Sequence, residues 1–253
     1  MIEGFLTRPG RAVWLLVAPA AAALVVSFAA VAQRPSVDAL IARHLQARGG
    51  SARWRAVTTL RLTGRVMSDG HEQGLLILAR RPGLRREELA FELGTVVSAF
   101  DGERAWTLDP FLGPGAAREL TGPALELARE QADFDGPLID HAAKGHRLTL
   151  EGETTVDERR GWRVKLTRRD GRVSWHDLDA ASGVELRMSV EIRGGGDPVV
   201  VETIFDDYRP VDGILVPHRV VTRTGDRATS EIVIEQVAFN VPIDLAVFRM
   251  PGR

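Results

Sequence analysis

Residues 199–221 read VVVETIFDDYRPVDGILVPHRVV, and this stretch decides the fold class. It contains two apolar, β-branched runs separated by a turn at residues 211–213. Asp-Gly between alternating hydrophobic residues is typical of a tight hairpin, because glycine accepts the positive φ that the turn requires. Val201, Thr203 and Phe205 fall on one face of the first run. The stretch therefore predicts an antiparallel hairpin.

The same pattern of short alternating runs and glycine-containing turns fills most of the chain. In residues 57–67, Leu60 and Leu62 share one face and Arg61 and Arg65 share the other, as in a strand with one buried face. Strand and turn together recur about every ten residues, a spacing typical of a barrel or a sandwich. We predict about twelve strands in one domain.

Helices are predicted in only two places. Residues 36–48 form the first, with Ser36 as its cap and Gly49-Gly50 as its end. His44 lies beside the apolar stripe of this helix, and we predict a half-buried or exposed side chain there. Residues 123–132 and 138–143 predict two further helical pieces in the middle of the chain.

Composition excludes several classes of function. The chain has 253 residues and a formal net charge of −1, so it has no general attraction for nucleic acid or for anionic membranes. It contains no cysteine, which excludes disulfides, thiolate metal sites and a cysteine nucleophile. We predict no nucleic-acid partner.

The N-terminus has the pattern of a targeting segment. Arg8 and Arg11 precede an apolar run over residues 12–32, which closes with Ala30-Val31-Ala32. This pattern predicts a signal peptide over residues 1–32 that is cleaved after Ala32, leaving residues 33–253 as one domain in the periplasm. The alternative is an uncleaved helix that anchors the protein in the inner membrane, since the run is about long enough to span a bilayer.

No catalytic or metal-binding motif occurs in the sequence. His141 and His146 are five residues apart and do not share a helical face, and His176 points away from the neighbouring Asp177 on its strand. Residues 194–196 are three glycines between strands, which we interpret as a hairpin tip rather than a phosphate-binding loop. We predict no catalytic residue, no metal and no cofactor.

A large curved sheet can enclose more volume than its side chains fill. The residues that we predict to line such a cavity are Leu60, Leu62, Leu76, Leu78, Leu89, Phe91, Trp106, Trp175, Leu186, Met188, Val201 and Phe205. Ordinary core packing is the alternative for each of them. The residues of the central segment that we predict to form a lid are Phe111, Leu112, Leu125, Leu127 and Phe134. Packing on the sheet edge is the alternative for them.

Several segments together resemble the LolA/LolB-like superfamily of periplasmic lipoprotein carriers. They are ALIARHLQARGGSARWRAVTTLRLTGRV, FDGERAW, DLDAASGVELR, FDDYRPVDGILVPHRV and FNVPIDLAVFRMP, which are spread over most of the chain after residue 33. The resemblance implies a mostly β protein in which a single curved antiparallel sheet of about 11–12 strands forms a half-open barrel, with an N-terminal helix and a central helical lid. In the characterised members the cavity shields acyl chains in the periplasm.

The leading hypothesis is a monomeric, non-catalytic periplasmic carrier that holds a lipid or the acyl moiety of a lipoprotein in an apolar cavity. The expected partners are a lipid or an acylated lipoprotein, and an envelope protein is a further candidate. The alternative is an envelope scaffold that contacts a protein partner through a sheet face. A metal-dependent hydrolase is the third hypothesis.

Overall fold

The structure is a computed structural model that describes residues 34–113, 115, 117–192 and 197–252. The elements below belong to the unit Pro35–Arg253. The predicted signal peptide over residues 1–32 and the three glycines at 194–196 lie outside the described residues. Within the described ranges, every helix is too short or too polar to cross a bilayer.

Thirteen strands of the described residues form one sheet, one or two more than the 11–12 expected. The strands are β1 (Thr59–Ser68), β2 (His71–Arg80), β3 (Leu84–Phe91), β4 (Gly94–Phe100), β5 (Ala105–Leu108), β6 (Arg118–Leu120), β7 (Arg147–Val156), β8 (Arg159–Thr167), β9 (Val173–Asp179), β10 (Glu185–Ile192), β11 (Val199–Val211), β12 (Ile214–Thr224) and β13 (Arg227–Phe239). β6 is the strand that the sequence pattern missed, because three residues are too few to show an alternation.

The strand order is β6-β5-β4-β3-β2-β1-β13-β12-β11-β10-β9-β8-β7. Consecutive strands pair antiparallel, so the chain makes two meanders, β1–β6 and β7–β13. The meanders join where β1 pairs with β13, with Leu60 opposite Phe239 and Ser68 opposite Ser230. The predicted hairpin at 199–221 is confirmed: β11 and β12 are joined by Asp212 and Gly213, both at positive φ.

The described helices are α1 (Val37–Ala47), α2 (Gly50–Ala56) and α3 (Gly122–Gln131), and short 3-10 turns occur at Pro110–Leu112 and Leu245–Phe248. Ser36 caps α1 by accepting a hydrogen bond from the Ala39 amide, as predicted. Gly49 ends α1 in the left-handed conformation, but a second helix follows at once and was not predicted. Residues 138–143 form turns, so the helix predicted there was wrong.

The sheet curls around α3. This helix packs against β4 and β5, while Glu130 near its end pairs with Arg168 and Arg172 beside the β8–β9 turn. From β4 to β9 the order runs through eight strand spacings, which would cover about 38 Å in a flat sheet. One helix touches both regions only because the sheet bends toward it. The sheet is therefore an open, half-closed barrel whose concave face carries α3.

The other two helices lie on the same concave face. Leu40 of α1 packs on Val164 and Leu178, and Trp54 of α2 packs on Ile214. Leu125 of α3 joins Phe100 and Ala105. The segment that follows β13 crosses to the convex face, where Met250 packs near Val97 and Trp106.

Gly64 holds the junction of the two meanders together. It sits at a bulge in the β1–β13 pairing, where a Cβ atom on Gly64 would lie 2.2 Å from the carbonyl oxygen of Val233. Only glycine allows this approach of the two backbones.

We expect Gly64→Ala to lower the free energy of unfolding by about 2 kcal/mol or more, because the two central strands must separate to admit the methyl group. Urea unfolding monitored by circular dichroism measures the change. Gly74→Ala on β2 is the matched control, because its Cβ would meet only the Ala90 methyl carbon at 3.4 Å. Equal destabilisation by the two substitutions would contradict this explanation.

Candidate functional site

The centre of the concave face is an apolar trough. Directly opposite residues of antiparallel strands share a face, so the register places Leu62, Ile77 and Val237 side by side. The trough consists of three buried residues, Leu62, Leu75 and Ile234, and six partly buried ones, Val66, Ile77, Leu89, Val220, Ile232 and Val237. This cluster includes no helix residue among those that the structure describes. The trough is thus a part of the concave face on which side chains of the sheet remain partly accessible.

The register divides the predicted cavity residues between the two faces. Eight lie on the concave face: Leu60, Leu62, Leu89, Phe91, Leu186, Met188, Val201 and Phe205. Only Leu62 and Leu89 belong to the trough. Leu186 packs near Ala47 of α1, and Phe205 borders a small cavity beneath that helix.

The other four residues lie on the convex face. Leu76 and Leu78 stand opposite Thr63 and Arg61, and Trp175 stands opposite Ser189. Trp106 is 1% exposed, and its indole N–H donates to the carbonyl oxygen of Phe248 at 2.8 Å. These four residues do not face the trough.

The lid candidates fall into two groups. Leu125 packs against Phe100, and Phe134 packs near Trp54, and both side chains are partly buried. Leu127, Phe111 and Leu112 are exposed. The ring of Phe111 meets that of Phe91 edge-on, with the ring centroids 5.3 Å apart.

Several cavities between described residues accompany the concave face. One of about 910 Å³ lies between α3 and the β8–β9 turn, with Arg129, Lys144 and Arg169 in its wall. One of about 220 Å³ borders Trp54 of α2, and one of about 200 Å³ lies between α3 and the surface of β3 and β4. A smaller one, about 70 Å³, lies beneath α1. None of the predicted cavity residues lines the cavity of about 910 Å³.

A buried polar network lies beneath α1. Nδ1 of His176 is 2.6 Å from Oε1 of Glu185, and Nε2 of the same ring is 2.9 Å from Oγ of Ser174. Tyr208 donates its hydroxyl proton to the carbonyl oxygen of Glu185 at 2.6 Å. His44 of α1 contacts the carbonyl oxygen of Gly183 through Nδ1 at 3.0 Å.

The sequence analysis did not identify this network. His44 is 4% exposed rather than half-buried or exposed. Glu185 gave no sequence signal, because its contact with His176 depends on the register of β9 and β10. One available signal was Ser174, two residues before His176 and hence on its face. The prediction that His176 and Asp177 point apart is confirmed, since Asp177 pairs with Arg163 and Arg187 on the convex face.

Burial sets the electrostatics of the network. Burial first, and the charge of Arg48 second, lower the pKa of His44 to about 4. Burial alone would raise the pKa of Glu185. The charge and hydrogen bond of His176, and then the charges of His44 and Arg48, lower it by more, so the pKa of Glu185 lies below its ordinary value. Burial raises the pKa of Tyr208, and the Glu185 charge adds to this rise. The network therefore contains an ionised Glu185 and a neutral His44 at neutral pH.

The hydrogen bonds of this network link Ser174 to His176 and His176 to Glu185. Acyl-transfer enzymes link a nucleophile, a base and an orienting carboxylate in the same order. Ser174 is only 2% exposed, however, and the cavity beneath α1 is lined by Glu185 but by neither Ser174 nor His176. The hydroxyl group of Ser174 is therefore buried away from this cavity. In the structure, the hydrogen bonds of the three side chains satisfy buried polar groups beneath α1.

Among the residues that the structure describes, no group of three His, Asp or Glu side chains is arranged to hold a metal ion. His141 and His146 lie in and after the turns that precede β7. Nδ1 of His146 is 3.3 Å from the amide nitrogen of Arg169.

No protein-family model and no curated protein matches the sequence. Solved structures do match. A DUF1329 family protein from Desulfovibrio piger has a TM-score of 0.60 at 12% identity, over 85% of this chain and 98% of that one. A LolA superfamily protein from Nitrosomonas europaea has a TM-score of 0.56 at 10% identity, over 85% and 98% of the two chains.

A putative outer membrane lipoprotein-sorting protein domain from Vibrio parahaemolyticus has a TM-score of 0.60 at 11% identity, over 84% of this chain and 97% of that one. The three alignments include 84–85% of this chain, which is nearly the whole described unit, and 97–98% of each matched chain. The chain therefore has the LolA-like fold that the sequence resemblance implied.

His44 makes stability dependent on pH. The unfolded histidine binds a proton with a pKa near 6.5, whereas folded His44 stays neutral down to about pH 4. Stability is therefore lost as the pH falls through this window. We expect His44 alone to account for a loss of about 2 kcal/mol in the free energy of unfolding between pH 7 and pH 5.

Urea unfolding of the wild type and of His44→Gln at the two pH values isolates this contribution. The variant is expected to lose about 2 kcal/mol less than the wild type on acidification, because glutamine does not titrate. The exposed His71→Gln is the control and should follow the wild type. If His44→Gln shows the same pH dependence as the wild type, His44 is not the responsible group.

Proposed function

We propose that the protein is a non-catalytic carrier whose concave trough binds the acyl chain of a lipid or of a lipoprotein. The observation that carries the proposal is the trough itself. Six of its nine apolar side chains, among them Ile77, Leu89 and Val220, are only partly buried by the protein. An acyl chain lying on them would complete their burial, and each buried methylene group contributes about 0.8 kcal/mol.

The surroundings of the trough support the same proposal. α3 bridges the two regions of the curled sheet and presents the exposed Leu127 beside the 200 Å³ cavity. A helix in this position can cover part of a bound chain. The sheet remains open, so a long ligand can extend beyond the trough without a change in fold.

The fold comparison adds a second line of support. One structure of the same fold is described as a putative outer membrane lipoprotein-sorting protein domain. At 11% identity that likeness concerns the fold alone, so the acyl ligand proposed here rests on the trough.

A protein partner is the second candidate. Leu93 and Leu112 are strongly exposed, and they lie near Phe91 and Phe111 in the chain segments that follow β3 and β5. Exposed apolar residues grouped in this way favour contact with another surface. An envelope scaffold would use them while the trough stays empty.

Extraction of the purified protein with organic solvent, followed by mass spectrometry, tests the carrier directly. A carrier is expected to release a co-purified amphiphile, or to bind one when loaded in vitro. Repeated failure of both extraction and loading would leave the scaffold as the better proposal.

We expect Leu89→Gln to weaken binding of the neutral fluorescent probe 1-N-phenylnaphthylamine about fivefold, because it places an amide in the apolar trough. Fluorescence titration gives the dissociation constant. Leu78→Gln is the matched control, since Leu78 is also partly buried but lies on the convex face of the neighbouring strand. The binding surface is misplaced if Leu78→Gln weakens the probe as much as Leu89→Gln.

We further propose that the protein is exported to the periplasm and cleaved after Ala32. Cleavage would leave 253 − 32 = 221 residues that begin with Gln33. Intact-mass measurement of the protein from a periplasmic extract is expected to give the mass of residues 33–253. Recovery of the full-length mass from the membrane fraction would instead support an uncleaved anchor.

A further inference from the structure

An ion pair of β3 lies on the concave face beside the trough. Arg85 and Glu87 of β3 lie on this face, since Arg85 stands opposite Ala79 and Phe100 and Glu87 stands opposite Ile77 and Ser98. Nη2 of Arg85 is 2.5 Å from Oε2 of Glu87. Glu87 is therefore the immediate neighbour of Ile77, a trough residue, across the strand pair.

The pair opens into the 200 Å³ cavity. Both side chains line it, together with Ser98, and α3 covers it with Ala124, Leu127 and Ala128. Apart from these polar groups and Gln131, the walls are apolar. The α3 side of the cavity is therefore largely apolar, and the β3 side carries one positive and one negative charge.

The pair has hydrogen-bonding capacity that the protein does not use. Among the described residues, Arg85 has no side-chain partner other than Glu87, which leaves most of its five N–H donors free. Oε1 of Glu87 likewise accepts no bond from a described residue. No buried side-chain nitrogen or oxygen in the described part lacks a partner, so these spare groups are accessible from the cavity.

We propose that Arg85 and Glu87 form the head-group subsite of the trough and select an amphiphile whose head is uncharged or zwitterionic. A hydroxyl group can accept a bond from Arg85 and donate one to Glu87 at the same time. A net negative head gains from Arg85 but is repelled by Glu87, and the apolar walls weaken the screening of that repulsion. This inference rests on the proposed function, because it assigns the head of the ligand that the trough is proposed to hold.

The test compares two ligands that share an oleoyl chain and a glycerol group. They are 1-oleoylglycerol, which is neutral, and 1-oleoyl-lysophosphatidate, which carries a phosphate. Each displaces 1-N-phenylnaphthylamine from the purified protein in a fluorescence assay below its aggregation concentration. The wild type is expected to bind the neutral ligand more tightly.

Glu87→Gln keeps the size of the side chain and removes its charge. We expect it to strengthen lysophosphatidate binding about tenfold while changing 1-oleoylglycerol binding less than about twofold. Arg85→Gln is expected to shift the selectivity the other way, because Glu87 then faces the phosphate alone. Opposite shifts distinguish a subsite from a pair that merely stabilises the fold.

The chain supplies a matched control on the same strand. Arg86 and Glu88 form the same type of pair, with Nε of Arg86 2.7 Å from Oε1 of Glu88, but on the convex face. Glu88→Gln should leave the ligand preference unchanged. If Glu87→Gln leaves the ratio of the two affinities at the wild-type value, or if Glu88→Gln changes it equally, the head-group subsite is wrong. If the wild type binds neither amphiphile nor the probe, the proposed carrier function itself fails.

Discussion

One helix, α3, contacts two distant regions of the curved sheet at once. α3 is attached to β4 and β5 by apolar contacts: Leu125, Ala128 and Ala132, the residue that follows the helix, pack against Phe100 and Ala105. On the other side it is attached to the β8–β9 turn through the ion pairs of Glu130. Partly exposed ion pairs stabilise by about 0–1 kcal/mol each, much less than buried apolar contacts. The helix is thus anchored firmly to one region and lightly to the other.

The concave face serves two different purposes along the sheet. Under α1, the β8–β10 region is sealed by Leu40 and by the network of His176 and Glu185, and it is protein core. The partly buried trough lies between the helices and is formed by β1–β3, β12 and β13. The position of the candidate site therefore follows from where the described helices do not pack, rather than from any distinctive residue in the strands.

This distinction explains how far the sequence could predict the structure. Short apolar runs, most of them alternating, located twelve of the thirteen described strands and the hairpin at 199–221, because such patterns are local. It could not choose a face for Leu76 and Leu78, since the run from Leu75 to Leu78 is apolar on both sides. Trp106 was misleading for another reason: the segment after β13, more than 130 residues away, covers it on the convex face. The His176–Glu185 contact was hidden because it requires the register of β10, which includes a bulge near Glu185.

The pairing of β1 with β13 has a consequence for how the chain reaches its folded state. β13, the strand at the middle of the sheet, follows all the other described strands in the chain. Without β13, β1–β6 and β7–β12 would be two separate meanders, each with an unpaired edge next to trough residues. Unpaired strand edges invite association with other chains. Among the described strands, β13 is therefore the seam between the two meanders, and the pairing of one meander's strands with the other's depends on this strand.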